Sequence, residues 1–523
     1  MARIGKYVID SLTRSMYEDS RCIFREYIQN AADQIDLARK EHLDEGDHYE
    51  IHVRIFREQR RIEIEDTATG VSRENRETLK DVATSQKKRG EHKGFRGIGR
   101  LGGLGYCTSL IFETSAKGED IKTIMKWDAA KMNQMVDDEA DDREAGSVID
   151  ECTCFEEQPE KSEKHYFKVI MENVTDDRLL DIDNVRNYLS MVSPVDYPTQ
   201  FSIFSARIKA YARKNEIALD TYNLYLGNEE GEEQLFKAYT TTIKHKGEDY
   251  AIRDIEFFDK RDDDGNLIYW GWYSISEMPG QMQPCNIAYG IRLRCKNIQI
   301  GDESTCGNFF IADTEKRFSQ YFYGELFIES SKLMPDARRD YLRECEYRSI
   351  FEAYVREDFE VLKRLCNEAS KIRNTIKKIN EAEKGQADIT KKREAGFLNE
   401  KEREDSEKKW EEFVENKNKQ KAALDRLKQK SQQSASPLSF MYGETPTSLP
   451  NTQKNLEKAT HNIGIVCEPL GKSKLRTDDA KYNKFGKKEK EIINVVYSAI
   501  YSAMPIDTMR EGLINIIERE LTK

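Results

Sequence analysis

The chain has 523 residues, far more than one typical domain, and this length predicts about two to four folding units. With 84 Lys and Arg against 95 Asp and Glu, the net charge of −11 argues against a general polyanion-binding protein, although a local basic patch stays compatible with it. No stretch approaches the apolar length of a membrane span, and Met1–Asp10 lacks a signal-peptide core, so we expect a cytoplasmic protein. The ten cysteines are scattered, and we expect free thiols.

The first motif is Arg-Glu-Tyr-Ile-Gln-Asn-Ala-Ala-Asp, which begins at Arg25. On a helix, Glu26, Asn30 and Asp33 fall within an arc of about 60°. On its other faces, apolar residues are predicted to pack this helix against a sheet: Ile23, Phe24, Tyr27, Ile28 and Ala31. The polar stripe is either a solvated helix face or a metal–nucleotide site. In such a site Asn30 is an oxygen ligand of Mg²⁺ and Glu26 is a base for a water molecule.

A predicted β-hairpin follows this helix. Tyr49–Phe56 and Arg60–Glu65 alternate apolar and polar residues, which is typical of two half-buried strands. The second strand leads into Asp66-Thr67-Ala68-Thr69-Gly70. An aspartate at this position is either an ordinary turn residue or an acceptor for the exocyclic amine of a ligand.

The third motif is the glycine-rich stretch Gly94–Gly105. Glycines at this density let backbone N–H groups approach phosphates closely and let a lid move. The basic residues around it suit a polyanion: Lys87, Lys88, Arg89, Lys93, Arg96 and Arg100. It is not a Walker loop, because no Gly-Lys-Ser/Thr follows, and it is not a Rossmann turn, because the glycines come late in the domain.

These three motifs, in this order, resemble the GHKL ATPases, the superfamily that includes Hsp90, MutL, gyrase B and the histidine kinases. The resemblance is greatest to Hsp90. Leu12–Asp33 is similar to the first long helix of Hsp90, and Ile98–Gly105 to the end of its glycine-rich lid. Asp66–Gly70 is similar to its Asp-x-Gly-x-Gly box, with Ala68 in place of the first glycine. Ala83-Thr84-Ser85 is similar to a run in MutL.

The resemblance implies a role for each matching residue. Glu26 would orient and deprotonate the attacking water, and Asn30 would bind Mg²⁺. Asp33 would lie near the nucleotide, and Asp66 would accept the adenine amine. The remaining residues that would shape the ATP pocket and its lid are Gly70, Thr84, Ser85, Gly97, Gly99, Gly102, Gly103 and Gly105. The late strand, His165–Met171, lacks the Gly-Thr that the family carries near the adenine.

The resemblance implies an α+β fold that opens with a Bergerat α/β sandwich over residues 1–190. Within it we predict strands at Leu110–Thr114 and Phe167–Met171 and a closing helix at Val185–Val192. The acidic stretch Val136–Glu163 is predicted to be a surface excursion. A change of composition at Ser193–Pro198 predicts a domain boundary.

Residues 194–350 are expected to form an α/β middle domain similar to that of Hsp90. Its clearest predicted strands are Leu267–Ile275, Ile287–Ile300 and Gly324–Ser330, whereas Ser202–Ala212 fits a strand or a helix. Leu333–Tyr341 contains a proline, an acidic cap and paired arginines, which predicts the start of a helix.

The paired arginines Arg338 and Arg339 have two interpretations. They are surface residues of a capped helix, or one of them acts in catalysis. The resemblance to the middle domain of Hsp90 implies an arginine that reaches the γ-phosphate. Arg339 is the better match to it, and Arg338 is the neighbour that stays open.

The remainder is predicted to be helical. Residues 351–430 fit an antiparallel hairpin or an intermolecular coiled coil, with a break at Gly385. Residues 431–460 are expected to form a flexible linker. Residues 461–523 contain two amphipathic helices separated at Pro505, whose apolar faces are too large to be buried by so short a piece. This module either joins a homodimer, as the resemblance to Hsp90 implies, or docks onto its own chain.

The resemblance implies a slow ATPase that works as a conformational clamp on a protein client or partner, with MgATP as substrate. Divergent Hsp90-like proteins also resemble components of bacterial phage-defence systems, in which the ATPase acts with a separate effector. The alternatives are an ATP-gated DNA clamp like MutL or MORC and a non-catalytic nucleotide-gated adaptor. A histidine kinase does not fit, because none of the seven histidines precedes the ATPase motifs in a suitable helix.

Overall fold

The structure, a computed structural model, describes residues 4–44, 46–82, 93, 97, 99–140, 142–442, 474–504 and 506–522. The chain divides into two compact units, Met1–Arg364 and Leu365–Lys523. The fold is α+β, as predicted, because the first unit contains a large mixed sheet and a smaller second sheet, whereas the second unit is mainly helical. No helix in these ranges is both long enough and apolar enough to cross a lipid bilayer.

The first sheet has eight strands in the order β5-β4-β3-β6-β2-β1-β7-β8. In chain order they are β1 (Glu50–Phe56), β2 (Arg61–Asp66), β3 (Ser109–Ser115), β4 (Ile121–Asp128), β5 (Thr153–Pro159), β6 (Tyr166–Glu172), β7 (Asn223–Asn228) and β8 (Gly231–Gln234). The antiparallel pairing of β1 with β2 confirms the predicted hairpin, and it places Asp66 opposite Ile51. The strands predicted at Leu110–Thr114 and Phe167–Met171 are confirmed as β3 and β6.

Five helices accompany this sheet in the described part of the first 200 residues: α1 (Tyr7–Leu12), α2 (Cys22–Glu41), α3 (Ala129–Asp137), α4 (Ala145–Cys152) and α5 (Ile182–Val192). The long helix predicted from Leu12 to Asp33 is wrong in its first part, because the helical run stops at Leu12 and starts again at Cys22. Just before Cys22, the Asp19 carboxylate accepts a hydrogen bond from the Arg21 backbone N–H at 3.0 Å. α2 ends at Glu41. The next residue, His42, caps it with a left-handed backbone, and its N–H donates to the Ala38 and Arg39 carbonyl oxygens.

The polar stripe of α2 is held in place by a continuous apolar core. The core packs the other faces of α2 against the inward-facing residues of the sheet, which include Ile51, Val53, Ile62 and Ile64. Each of these side chains is nearly or fully buried. Burial of a side chain of this size stabilises the fold by about 1.5–3 kcal/mol, so the position of the polar stripe is strongly fixed.

The surface excursion predicted for Val136–Glu163 is wrong. This segment forms α4 and the edge strand β5, which pairs with β4 from Ile121–Pro159 to Trp127–Thr153. Val148 is buried in the core, and the acidic side chains lie on the exposed side. An edge strand with one solvated face tolerates the charges that made the segment resemble a loop.

β7 and β8 follow the position near Ser193 at which a boundary was predicted. β7 nevertheless pairs in parallel with β1, from Glu50–Asn223 to Arg54–Gly227. The first sheet therefore contains strands from both sides of that position.

The second sheet has five strands in the order β11-β12-β15-β13-β14. Its strands are β11 (Asp254–Arg261), β12 (Leu267–Ile275), β13 (Gly290–Cys295), β14 (Ile298–Gln299) and β15 (Tyr323–Ile328); β9 (Thr242–His245) and β10 (Glu248–Ala251) form a separate hairpin. The segment from Ser202 forms the helix α6 (Ser202–Lys214). The strand predicted for Ile287–Ile300 is interrupted at Lys296 and Asn297, whose φ angles of 50° and 61° turn the chain from β13 into β14.

A buried ion cluster fixes this turn. Glu325, Lys237 and Arg294 are almost completely buried, and Glu325 pairs with both cations, at 2.8 Å from the Lys237 ammonium. Burial alone would raise the pKa of Glu325, but Arg294 and Lys237 hold it at about 2. The Lys237 ammonium also donates to the Asn297 side chain at 2.9 Å. The side chain of Asn297 donates in turn to the Asp220 carbonyl oxygen at 2.8 Å.

The helix predicted to start within Leu333–Tyr341 is wrong. The segment is a tight loop closed by a bridge between Pro335 and Leu342. The Asp336 carboxylate accepts hydrogen bonds from the backbone N–H groups of Asp340 and Tyr341, at 3.1 and 3.3 Å. Arg339 has a φ of 58°, which a helix cannot accommodate. The acidic residue therefore caps a loop and not a helix.

The helix α7 (Glu346–Ala395) belongs to the second unit from Leu365 onward. There it forms an antiparallel hairpin with α8 (Glu400–Gln433). The Lys417 ammonium lies 2.9 Å from the Glu383 carboxylate across it. The predicted break at Gly385 is wrong, because Gly385 lies inside α7, where its missing side chain leaves space for the Phe413 ring. The chain turns instead at Gly396, with a φ of 83°.

The last two helices are α9 (Lys487–Ala503) and α10 (Asp507–Thr522), as predicted. They share a small core with Leu398, Tyr482 and Tyr497. Pro505 and residues 443–473, which hold most of the predicted linker, lie outside the described residues.

Candidate functional site

A cavity of about 660 Å³ lies in the first unit, between the polar stripe of α2 and the loop that follows β15. The predicted site residues that line it are Glu26, Asn30, Asp66, Gly70, Gly97, Gly99 and Arg339. The cavity therefore brings together residues from all three N-terminal motifs and from the segment near residue 340. Thr84 and Ser85 lie outside the described residues.

Glu26 is an acidic residue that lines this cavity. The residue is 8 % exposed, and Oε1 lies 3.7 Å from the Arg25 Nε. Within the described ranges Oε1 accepts no hydrogen bond. Gly99 approaches so closely that a Cβ atom there would lie 2.5 Å from Glu26 Oε2. A buried carboxylate oxygen that accepts no hydrogen bond from the protein can accept a proton or a hydrogen bond from a small molecule such as water.

Arg339 is the cationic group from the other side of the cavity. It is also 8 % exposed, and one of its terminal nitrogens donates to the Lys93 carbonyl oxygen. The other, Nη1, has no hydrogen-bond partner among the described residues. Burial lowers the pKa of Arg339, and the nearby Glu26 charge opposes this shift. Arginine nevertheless keeps its proton, so it presents a permanent charge to the cavity.

The neighbouring Arg338 has a different environment. It is exposed and does not line the cavity. Its carbonyl oxygen accepts a hydrogen bond from the buried Arg25 guanidinium at 2.6 Å. The backbone at Arg338 thus anchors the loop to α2, while the Arg339 side chain enters the cavity.

Lys93 connects the elements around the cavity. Its backbone N–H donates to Asp33 Oδ1 at 2.7 Å. Its ammonium lies 2.5 Å from both the Asp36 carboxylate and the Tyr222 hydroxyl, and 3.4 Å from Asp220. Asp33 does not line the cavity. Its Oδ1 instead accepts the hydrogen bond from the Lys93 backbone.

The turn after β2 forms the far end of the cavity. Asp66 is buried, and its Oδ1 accepts the Ala68 N–H bond at 3.1 Å. Gly70 has a φ of 66°, and a Cβ atom there would lie 1.9 Å from the Ser115 carbonyl oxygen. Only glycine fits this position without displacing β3. Ala68 is fully buried, so the methyl group at this position is accommodated.

Three predicted glycines do not line the cavity: Gly102, Gly103 and Gly105. They belong to a 3₁₀ turn, Gly99–Gly105, which packs on α2. The Gly103 N–H donates to the Tyr27 hydroxyl at 3.1 Å, and a Cβ atom there would lie 2.5 Å from that oxygen. The Tyr27 hydroxyl donates to the Arg100 carbonyl at 3.0 Å. Gly103 therefore allows close packing of this turn against α2.

Several residues that line the cavity were not predicted as site residues. Lys93 and Lys296 add positive charge, and Gln34 and Thr69 form a hydrogen bond at 2.7 Å. Lys296 stands on the turn between β13 and β14, and burial lowers its pKa. Lys93 appeared in the sequence as one of many basic residues, and no local signal marks Lys296. Gln34 lies one residue after Asp33, so its place on α2 beside the polar stripe is a usable signal.

The side chains around the cavity include candidate ligands for a metal ion. Among the described residues, no cluster of three His, Cys, Asp or Glu side chains is placed to hold a metal. Asn30 lines the cavity. Mg²⁺ commonly takes one or two protein oxygens together with substrate phosphates and water. The residues present therefore fit a magnesium ion that arrives with a phosphate ligand.

Residues 25–156 match the family model for histidine kinase-, DNA gyrase B- and HSP90-like ATPases. This range contains α2, the β1–β2 hairpin and the glycine-rich motif. No curated protein matches the chain.

Replacement of Gly70 by alanine should destabilise the first unit. The left-handed backbone at this position costs a residue with a Cβ atom about 1–2 kcal/mol, and the contact with Ser115 adds to it. We expect Gly70→Ala to lower the melting temperature by several degrees in differential scanning fluorimetry. Gly118→Ala is the matched control, because Gly118 also has a positive φ but open space around it. Equal melting temperatures for the two variants would contradict the close approach to Ser115.

Proposed function

Because residues 25–156 belong to the GHKL ATPase superfamily, we propose that this chain is an ATP-dependent conformational clamp that binds and hydrolyses MgATP in the cavity beside α2. The clamp would act on a protein client or effector, as in Hsp90-like systems. One observation carries the proposal. Glu26 and Arg339, from two distant segments that line one cavity, each have a buried polar atom without a hydrogen-bond partner among the described residues.

The two unsatisfied atoms suit the ends of a hydrolysis reaction. Glu26 can hold the attacking water and take its proton as the new bond to phosphorus forms. Arg339 can donate from Nη1 to an oxygen of the transferred phosphoryl group and neutralise the charge that develops there. Such charge stabilisation is strong in a buried site, because little water screens it.

The far end of the cavity suits a purine. Asp66 provides a buried carboxylate for an exocyclic amine. The apolar residues that line the cavity can cover the faces of the ring: Ile64, Val71, Leu79, Phe167 and Val169. Cavities with an apolar lining and a few fixed polar groups are typical of small-molecule sites.

Mg²⁺ would be held by Asn30 together with phosphate oxygens, and when bound it neutralises phosphate charge. Gly97 and Gly99 would bring backbone close to the phosphates. The lining contains more acidic than basic residues, and the Lys93 ammonium is already bound to Asp36. Lys296 and Arg339 are therefore the side chains that would contact an anionic nucleotide.

Hydrolysis would depend on the position of the loop around residue 339. Arg339 is bound to the Lys93 carbonyl, and the Lys93 side chain is bound to Asp36 and Tyr222. A change in the lid segment that carries Lys93 therefore moves the arginine as well. This linkage would allow closure of the lid to control the reaction.

Binding and hydrolysis should be separable by two substitutions. Glu26→Ala should keep ATP affinity within about threefold and lower the hydrolysis rate at least about a hundredfold, because the proton acceptor is lost. Asp66→Asn should abolish measurable ATP binding. The substitution replaces the carboxylate oxygen that would accept a hydrogen bond from the adenine amine with an NH₂ group, which is itself a donor. Isothermal titration calorimetry and a phosphate-release assay measure the two effects.

These assays also separate the alternative classes. Wild-type binding of ATP without phosphate release would support a nucleotide-gated adaptor and not an ATPase. Equal nucleotide affinity of Asp66→Asn and wild type would remove the adenine assignment. Glu229→Gln, at an exposed position on the turn between β7 and β8, is the control for loss of a carboxylate, and both activities should persist in it.

The two adjacent arginines give a matched pair for the catalytic cation. Arg339→Gln should lower kcat at least about tenfold with a small change in ATP affinity, since the expected contact forms in the transition state. Arg338→Gln should leave kcat within about twofold, because its side chain is exposed and its carbonyl is retained. Steady-state phosphate release at saturating ATP measures both. The reverse order would assign the role to Arg338.

A clamp also needs a joint between two chains, and α9 and α10 offer exposed apolar stripes for it. On α9, Ile492, Val495 and Val496 are 64 %, 68 % and 41 % exposed. On α10, Met509 and Ile516 are 62 % and 52 % exposed. Both sets recur at spacings of three, four or seven, so each follows one face of its helix. We propose that these faces pair in a homodimer.

Charge placed on the α9 stripe should dissociate that dimer. We expect Ile492→Glu with Val495→Glu to reduce the mass in light scattering from twice the chain mass to one chain, because two carboxylates would be buried in an apolar interface. The control is Lys487→Glu with Lys488→Glu, at exposed positions on the same helix. Each Lys→Glu substitution changes the charge by two, whereas Ile→Glu or Val→Glu changes it by one. If added negative charge alone dissociated the dimer, the control variant would therefore be monomeric as well. A monomeric wild type would contradict the dimer.

A further inference from the structure

The helical hairpin of the second unit has an uneven distribution of charge. We define its basic end as residues 367–380 of α7 and 417–430 of α8. The α7 part contains four basic residues and one acidic residue, and the α8 part contains six basic residues and one acidic residue. The basic end therefore has a formal charge of +8 in a chain whose net charge is −11.

The other end of the hairpin has the opposite character. Residues 400–416 of α8 contain eight acidic and four basic residues, and residues 381–394 of α7 contain four of each. The two halves of α8 thus differ by nine charges, from −4 to +5. A helix that is only solvated usually mixes charges of both signs along its length. Segregation on this scale produces a local positive potential.

The two helices bring both parts of the basic end together. α7 and α8 are antiparallel, with Glu383 beside Lys417 and Lys392 near Glu402 at 3.7 Å. Past the end of α8, Ser436 donates to the Glu368 carboxylate at 2.9 Å. Residues 417–430 therefore lie alongside residues 367–380.

Most of these cations are available to a ligand. The exposed ones are Lys371, Lys377, Lys378, Lys419, Lys421, Arg426, Lys428 and Lys430. Lys377 is 3.7 Å from Glu381, and within the described ranges no ion pair involves the other seven. Lys419, Arg426 and Lys430 fall at i, i+7 and i+11, so they form one stripe about 17 Å long on α8.

We propose that the basic end binds the phosphate backbone of duplex DNA. Its sequence has no aromatic residue, so it lacks the stacking platforms that bind single-stranded nucleic acid. Apart from Ala422 its apolar side chains are buried or half-buried, so it also lacks a large exposed apolar face for insertion into a membrane. A row of cations on a rigid helix can contact phosphates of a duplex, whose charge density is about one per 1.7 Å.

This proposal does not depend on ATP hydrolysis, and its test uses the full chain without nucleotide. A labelled 30-base-pair duplex is titrated with protein, and fluorescence anisotropy is recorded at about 50 and 200 mM salt. The wild type should bind with an affinity that falls steeply as salt rises. Absence of binding at the lower salt concentration overturns the proposal.

The decisive variant is Lys419→Gln with Arg426→Gln and Lys430→Gln. Glutamine keeps the helix propensity, so the fold should persist, and circular dichroism checks it. We expect affinity at low salt to fall at least about tenfold, and the slope of log K against log salt to fall by about 2–3, nearly one for each lost phosphate contact. Unchanged affinity in this variant overturns the proposal.

The matched control is Lys401→Gln with Lys408→Gln and Lys409→Gln. These lysines are exposed on the acidic half of the same helix, so the control removes the same net charge from α8. Its affinity should stay within about twofold of the wild type, and an equal loss in both variants overturns the assignment to the basic end. Tighter binding to single-stranded DNA or to vesicles of anionic lipid than to the duplex also overturns it.

Discussion

The buried guanidinium of Arg339 is the constraint on which the candidate site depends. Desolvation of an unpaired cation costs several kcal/mol, so the surrounding structure must compensate for it. The Lys93 carbonyl accepts one of its hydrogen bonds, and the Glu26 carboxylate supplies opposite charge nearby. Compensation within the described residues is incomplete, because Nη1 has no partner there. A phosphate would complete it, and the resulting stabilisation would be greatest when the lid segment and this loop are both in place.

The same loop depends on interactions far from the cavity. Arg339 is held by a residue whose side chain binds Asp36 of α2 and Tyr222 near the start of β7. Near Tyr222, Asp220 accepts a hydrogen bond from Asn297, which the buried Lys237 also holds. Polar groups in such an interior are costly unless they are paired. A chain of paired groups therefore fixes both cationic segments of the cavity relative to α2.

Local patterns in the sequence predicted the elements that form one wall of the site. The periods of 3.6 and 2 are local, so α2, the β1–β2 hairpin and the stripe of Glu26 and Asn30 could be recognised. The contacts of Lys93 with Tyr222 and with Arg339 join segments about 130–250 residues apart, which no window of sequence contains. The edge strand β5 was missed because its acidic composition resembles that of a loop.

The net charge of the chain likewise did not predict the local charge of its surfaces. A value of −11 describes the average over the chain, whereas a ligand responds to charge within about one Debye length, roughly 8–10 Å at physiological salt. The two ends of α8 are separated by more than this distance, since 34 helical residues extend about 50 Å. Arg426 and Lys430 lie more than one Debye length along the helix from Glu415, the last acidic residue of that half, so the acidic half screens them only weakly. Lys419 and Arg426 belong to a positive surface even though the chain is acidic, and the antiparallel partner helix adds to that surface instead of cancelling it.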